Sequence, residues 1–169
     1  MKSRNMLWLL MPLCLLISMS SGAQSAKEEK KKAQLEQLQS LVNSRHYTFN
    51  AQSVTSMGGR TRQLTSSYYI TLSGDSSLIV NLPYFGVAYS STPGDTNGGI
   101  NFNSATYSYE VHDTKQGGWF IVITPKNEKN ANKIQLSITS SGYTSVQVTS
   151  TYRQLISFYG TIVPDSKNK

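Results

Sequence analysis

Groups able to do acid, base or metal chemistry are few in this chain. Its 169 residues hold two histidines, His46 and His112, one cysteine, Cys14, and nine carboxylates. A zinc site needs three or four converging ligands, which two imidazoles without a thiolate do not supply. Each histidine reads instead as a strand residue facing water. Glu110 and Asp113 are the carboxylates that lie close together near a predicted strand. Side chains three apart on a strand project to opposite faces, which parts an acid from a base. No serine occupies a Gly-x-Ser-x-Gly elbow, and two histidines leave little choice of base. The glycines fall at hairpin turns rather than between a strand and a helix, so no phosphate cradle forms. Asp95-Thr96-Asn97-Gly98-Gly99 offers oxygens at alternating positions, but Thr106 stands where a helix-loop-helix calcium site carries its bidentate Glu. A tight turn is the better reading. These patterns argue against an enzyme and against any bound metal or cofactor.

Residues suited to binding are easier to find. Pro83 to Gly99 is a seventeen-residue connection made mostly of turn formers. Connections above about 12–15 residues without structure of their own are uncommon and often functional. Tyr84, Phe85 and Tyr89 stand in it, so the folded chain must bury these rings or a ligand must meet them. The candidate ligand- or partner-binding residues are therefore Tyr84, Phe85 and Tyr89, with packing over one end of the core as the structural alternative. Trp119 and the strand tyrosines Tyr68, Tyr107, Tyr109 and Tyr159 also admit sugar stacking, although aromatics are favoured in strands for packing alone.

The elements that position this segment follow from periodicity. Lys27 to Asn43 contains no Pro or Gly, and Ala33, Leu35, Leu38, Leu41 and Val42 trace one apolar stripe. This predicts an amphipathic helix within 24–44 that needs a surface to lie on. Beyond Arg45 the period becomes two: Tyr47-Phe49-Ala51, Tyr68-Ile70-Leu72, Leu78-Val80-Leu82, Tyr107-Tyr109-Val111, Ile134-Leu136-Ile138 and Val146-Val148 alternate with polar residues. Trp119 to Thr124 and Leu155 to Val163 carry apolar residues on both faces and predict strands covered on both sides. Ser73-Gly74-Asp75-Ser76, Gln116-Gly117-Gly118 and Ser140-Ser141-Gly142 are turn clusters. The result is an all-β domain over 45–164, an antiparallel meander of about eight strands, or nine if Ile100-Phe102 is separate. Such a meander can close into a barrel and remove its sheet edges; a β-sandwich is the alternative.

The first residues read as an export signal. Lys2 and Arg4 precede an apolar run from Met6 to Ile17, and Ser21-Gly22-Ala23 then puts small residues at a cleavage position. The run is too short to span a membrane, so cleavage is expected after Ala23, with residues 1–23 as the signal peptide and 165–169 as a disordered tail. Cys14 follows Leu13, not the small residue that lipidation requires, which predicts a chain without a lipid anchor. The mature chain then has no cysteine and no disulfide. Losing Lys2 and Arg4 lowers the net charge from +7 to +5. The lysines at 27 and 30–32 interleave with Glu28 and Glu29, a solvated cluster rather than a nucleic-acid site. The expected protein is periplasmic or secreted, without stable membrane insertion, and binds no nucleic acid.

Several short motifs carry a family resemblance: Leu82-Pro83-Tyr84-Phe85-Gly86 with Ala88-Tyr89, Gly98-Gly99-Ile100-Asn101-Phe102, Ser141-Gly142, and Arg153 followed by Ile156-Ser157-Phe158-Tyr159-Gly160. In this order they resemble a family of exported proteins of Gram-negative gut bacteria known as domain of unknown function 4251. The resemblance spans most of the mature chain and implies a small antiparallel barrel of lipocalin-like type. The family has no established activity, so it assigns no residue a role. Many of its members look like lipoproteins, a feature from which Leu13-Cys14 departs. Two readings of function stay open: non-catalytic binding of a small apolar or amphipathic ligand, and an interaction module for another envelope protein or glycan.

Overall fold

A computed structural model describes residues 21–89 and 98–165, with side chains from Ala26 onward. The chain divides into two compact units, residues 1–36 and 37–169. What is described of the first unit is helical, the beginning of α1 (Ser21–Ser44). This helix starts before the expected residue 24 and runs through Gly22 and Ala23 without a break. Residues 1–20, which hold most of the expected signal peptide, and residues 166–169 of the expected tail lie outside the described residues.

The second unit holds the last turns of α1 and nine strands: β1 (His46–Ser56), β2 (Thr61–Ser73), β3 (Leu78–Leu82), β4 (Ile100–Ser104), β5 (Tyr107–Asp113), β6 (Trp119–Pro125), β7 (Lys133–Ile138), β8 (Tyr143–Thr149) and β9 (Ile156–Pro164). They form one sheet in the order β4-β3-β2-β1-β9-β8-β7-β6-β5, a nearly closed antiparallel barrel rather than a sandwich. β1 and β9, the first and last strands, pair along their length from Tyr47 with Pro164 to Ser56 with Ile156. The sheet's two edges are β4 and β5, and the antiparallel steps around the order give these two the same direction. Only Ala105 and Thr106 part them. They act as one bent strand that leaves the β3 side and continues on the β6 side, so eight antiparallel staves surround the core. Ile100-Phe102 is thus a separate pairing segment on a continuous run, and the counts of eight and nine are both realised.

The core is the inward half of the alternation. Tyr47, Phe49, Ile70, Leu72, Leu78, Val80, Leu82, Ile121, Ile123, Ile134, Leu136, Val146, Val148 and Phe158 are all buried. Trp119 joins them at 6% exposure. Two strands expected to be covered on both faces are not. In β9, Tyr159 and Val163 face solvent while Ile156, Phe158, Gly160 and Ile162 face inward. In β6 the outward Phe120 and Val122 are half-buried. The tight seam between β1 and β9 explains the glycine on that inner face: a Cβ on Gly160 would lie 1.9 Å from Asn50 O. That seam also carries an irregularity between Ala51 and Ser53.

One end of the barrel is sealed by the C-terminal turns of α1. Leu38 and Val42 are buried, with Leu38 against Gly142 in the β7–β8 turn. Tyr109 Oη donates to Val42 O at 3.1 Å and meets Tyr47 Oη at 3.2 Å. Tyr107 donates to Gly74 O. The helix stops at Arg45, which takes a left-handed φ of 56°, pairs with Asp75 and lies 4.8 Å above the Tyr109 ring. A left-handed residue after the last turn is a usual helix stop, more often glycine than arginine. Asp165, expected in the tail, is buried and accepts a hydrogen bond from Ser73 Oγ at 2.5 Å.

Candidate functional site

The opposite end holds the β1–β2 hairpin, the start of the long connection after β3, and the segment leading into β9. Residues 83–89 and 98–99 of that connection are described, while 90–97, with the Asp95-Thr96-Asn97 turn, lie outside the described residues. The described part is extended and lies along the approach to β9. Ala88 bridges Arg153, Tyr89 N donates to Tyr152 O at 2.8 Å, and Gln154 N donates to Val87 O at 3.1 Å. An extended segment alternates its side chains. Tyr84 is half-buried, whereas Phe85, Val87 and Tyr89 point outward with 43%, 60% and 66% exposure.

Tyr84 holds the segment in place. Its hydroxyl lies 2.8 Å from Val87 O and 3.1 Å from Gln154 O, its single proton shared between the two carbonyls. Burial raises this phenol above its usual value, which keeps the donor proton in place. The ring folds back on Gly86, where a Cβ would come within 2.6 Å of Tyr84 Oη. Above the ring, Arg153 Cζ stands 5.0 Å from the centroid. Arg153 is itself buried, and its Nη1 donates to Gly98 O at 3.1 Å and Gly99 O at 2.8 Å. One guanidinium thus ties both described ends of the long connection to the start of β9. Three of the motifs that carry the family resemblance meet here through Tyr84, Gly86, Ala88, Gly98, Gly99 and Arg153, whereas Ser141-Gly142 lies at the helix-capped end.

Phe85 stands at the surface of that cluster with a cleft on either side. The first, of about 410 Å³, is lined by Val54, Ser56, Arg60, Arg62, Val87 and Gln154 among others. The second, of about 370 Å³, is lined by Tyr68, Asn81, Tyr84, Asn101 and the Gly98-Gly99 backbone among others. Both volumes fall within the range of about 300–1,000 Å³ usual for small-molecule sites. Arg62 Cζ lies 5.0 Å from the Phe85 ring centroid, so a cation closes one side of the first cleft over an aromatic face. Arg62 reaches this position because β2 begins at Thr61, seven residues before the predicted Tyr68-Ile70-Leu72 run, and pairs Arg62 with Val54.

Of the three rings singled out in the sequence, the structure buries Tyr84 in part and leaves Phe85 and Tyr89 exposed. Arg60, Arg62 and Val87 were not expected at the site. The available signals were the period-two spacing of Phe85, Val87 and Tyr89 and the same spacing of Arg60 and Arg62 beside the Gly58-Gly59 turn. Trp119 is a core residue, and Tyr107 and Tyr109 are engaged at the helix-capped end. His46 Nδ1 donates to Ser44 O at 2.6 Å, and His112 is exposed on β5. Among the described residues no three His, Cys, Asp or Glu side chains gather as a metal site would need, and no helix is long and apolar enough to cross a membrane.

The comparisons with known proteins agree with this architecture. A crystal structure of a DUF4251 family protein from Bacteroides eggerthii superposes with a TM-score of 0.57 at 15% identity, covering 78% of this chain and 88% of that one. At that identity the likeness concerns the fold. No curated protein matches the chain. The family model described as domain of unknown function, DUF4251, matches residues 29–162, and the chain therefore belongs to that family.

Proposed function

We propose that this protein is an exported, non-catalytic binding protein whose recognition surface is the barrel mouth around Phe85. The observation that carries the reading is the placement of Phe85: an exposed ring, anchored through its neighbour Tyr84, between two clefts of ligand size. Holding an aromatic partly in water forgoes part of the ~1.5–3 kcal/mol its burial would contribute. A ligand that covers it recovers that free energy on binding. The interior supports the same choice of surface, since large side chains such as Tyr47, Phe49, Leu72 and Phe158 fill it from the strands inward. The occupant is a small amphipathic molecule, because each cleft combines aromatic or aliphatic walls with hydrogen-bonding groups. Export rests on Lys2 and Arg4 ahead of the apolar Met6 to Ile17 run. A second reading, a partner protein docking on Phe85, Val87 and Tyr89, draws on their shared outward face.

The test is native mass spectrometry of protein purified from its own host, with intact mass measured in parallel. A retained small molecule that disappears in Phe85→Ala while the fold persists supports the ligand reading. Protein pull-down lost in Phe85→Ala and Tyr89→Ala without a retained molecule favours the partner reading. No loss of either in these variants overturns the mouth as the binding surface, and a mass that includes residues 1–23 overturns export with signal cleavage.

A further inference from the structure

We infer that the first cleft selects an amphiphile with a carboxylate head, an inference that rests on the mouth being a binding site. Arg60 and Arg62 both line it, and no carboxylate does so among the described residues. Arg60 closes the β1–β2 turn, its carbonyl accepting from Ser56 N, and Arg62 is the second residue of β2, so the two side chains reach the cleft from either side of the strand's start. The long connection supplies an apolar wall in Phe85 and Val87, and Val54, paired with Arg62, lies beside the arginine on the sheet. Arg62 is held over the Phe85 ring with Cζ 5.0 Å from the centroid, so its position is set before a ligand arrives. A guanidinium carries five N–H donors in a planar fork, and contact with one ring leaves most of them for an anion. The cleft therefore pairs a cationic end with an apolar wall at about 410 Å³. A carboxylate matches the fork in two parallel hydrogen bonds. It is also easier to bring beside the Phe85 and Val87 wall than a doubly charged phosphate, whose desolvation costs more.

Calorimetric titration with decanoate, 1-decanol and decyl phosphate, each in its monomeric range, tests this. Wild type is expected to bind decanoate about tenfold more tightly than decanol, the scale of one charge-assisted hydrogen-bonded contact. Added salt should erode that preference, because the pair is partly exposed. Arg62→Gln should remove most of the decanoate preference and leave decanol binding as it was. Arg60→Gln, farther from the Phe85 ring contact, should act in the same direction and guards against an Arg62 variant that folds poorly. Equal affinity for decanoate and decanol overturns the charge assignment while leaving the mouth as a binding site. Tighter binding of decyl phosphate overturns the choice of head group. Decanoate binding that survives Phe85→Ala and both arginine variants places the ligand elsewhere and overturns the inference. If none of the three amphiphiles binds, this inference and the small-amphiphile reading of the mouth fail together.

Discussion

Replacing Arg153 with methionine should release the long connection from the barrel. Methionine keeps most of the buried stem and removes the donors to Gly98 O and Gly99 O, together with the cation above Tyr84. Each charge-assisted hydrogen bond contributes about 1.5–3 kcal/mol, and the ring contact adds roughly 0.5–2 kcal/mol. Both bonds come from the same nitrogen, so they do not add in full, and the expected cost is about 3–5 kcal/mol. For a domain of this size each kcal/mol moves Tm by about 2–4 °C, which makes the shift roughly 6–20 °C. Arg153→Lys keeps the charge but only a point donor, and should lose about half as much. Thermal unfolding followed by circular dichroism measures the total, and amide hydrogen exchange localises it. The Tyr89 and Gln154 amides, bonded to Tyr152 O and Val87 O, should lose protection before those of β6 and β7. A methionine variant that melts within about 2 °C of wild type, or one whose Tyr89 amide stays protected, would refute the assignment of Arg153 as the clamp.

Three further outcomes follow from the barrel itself. Burial pushes Tyr109 up to about 12 and raises Tyr47 well above its ordinary value, whereas in the unfolded chain both ionise near the ordinary phenol value of about 10. Stability from Tyr109 is therefore complete below about pH 10 and is lost between about pH 10 and 12, worth roughly 2–3 kcal/mol, and burial of Tyr47 acts in the same direction. Tm measured across that range should fall, and less steeply in Tyr109→Phe. Gly160→Ala drives a Cβ into Asn50 O and should cost at least ~3 kcal/mol in denaturant unfolding, whereas Gly58→Ala meets nothing within 4 Å and should stay within about 0.5 kcal/mol. Leu38→Ala opens a gap against Gly142 under the last turns of α1; a loss of about 2–4 kcal/mol is expected in the same assay, and an unchanged midpoint would mean those turns do not seal the barrel.

The fold was legible where local pattern and burial coincide. Ile134, Leu136 and Ile138 alternate with polar residues in the sequence and are buried in the barrel, because an antiparallel sheet with one wet face imposes that period directly. Leu155 to Val163 misled because Tyr159 and Val163 are apolar residues left outside, as a surface with too few polar atoms allows. The loop's aromatics were visible by type and setting, yet their fates differ for a reason that sequence spacing does not contain. Tyr84 is held by Gln154, seventy positions along the chain, and by Arg153 beside it. Phe85 meets Arg62 from an unpredicted extension of β2. Non-local partners decide which ring is structural and which is displayed, and single-sequence periodicity reports only on neighbours.

The seam between β1 and β9 has a consequence for how the chain reaches this state. Every other strand pair joins neighbours in sequence, whether through a tight turn or the longer connection after β3, and can zip as its own segment emerges. The pairing of Tyr47 with Pro164 demands closure of a loop that spans almost the whole domain, with an entropic cost that must be met before the new contacts repay it. Until β9 is present, β1 keeps a free edge and the half-built sheet has an exposed inner face. The rate of folding is then set by ring closure, which waits on β9, the last of the nine strands in the chain. Chains truncated before Ile156 would hold most of the hairpins and still lack the native cooperative transition.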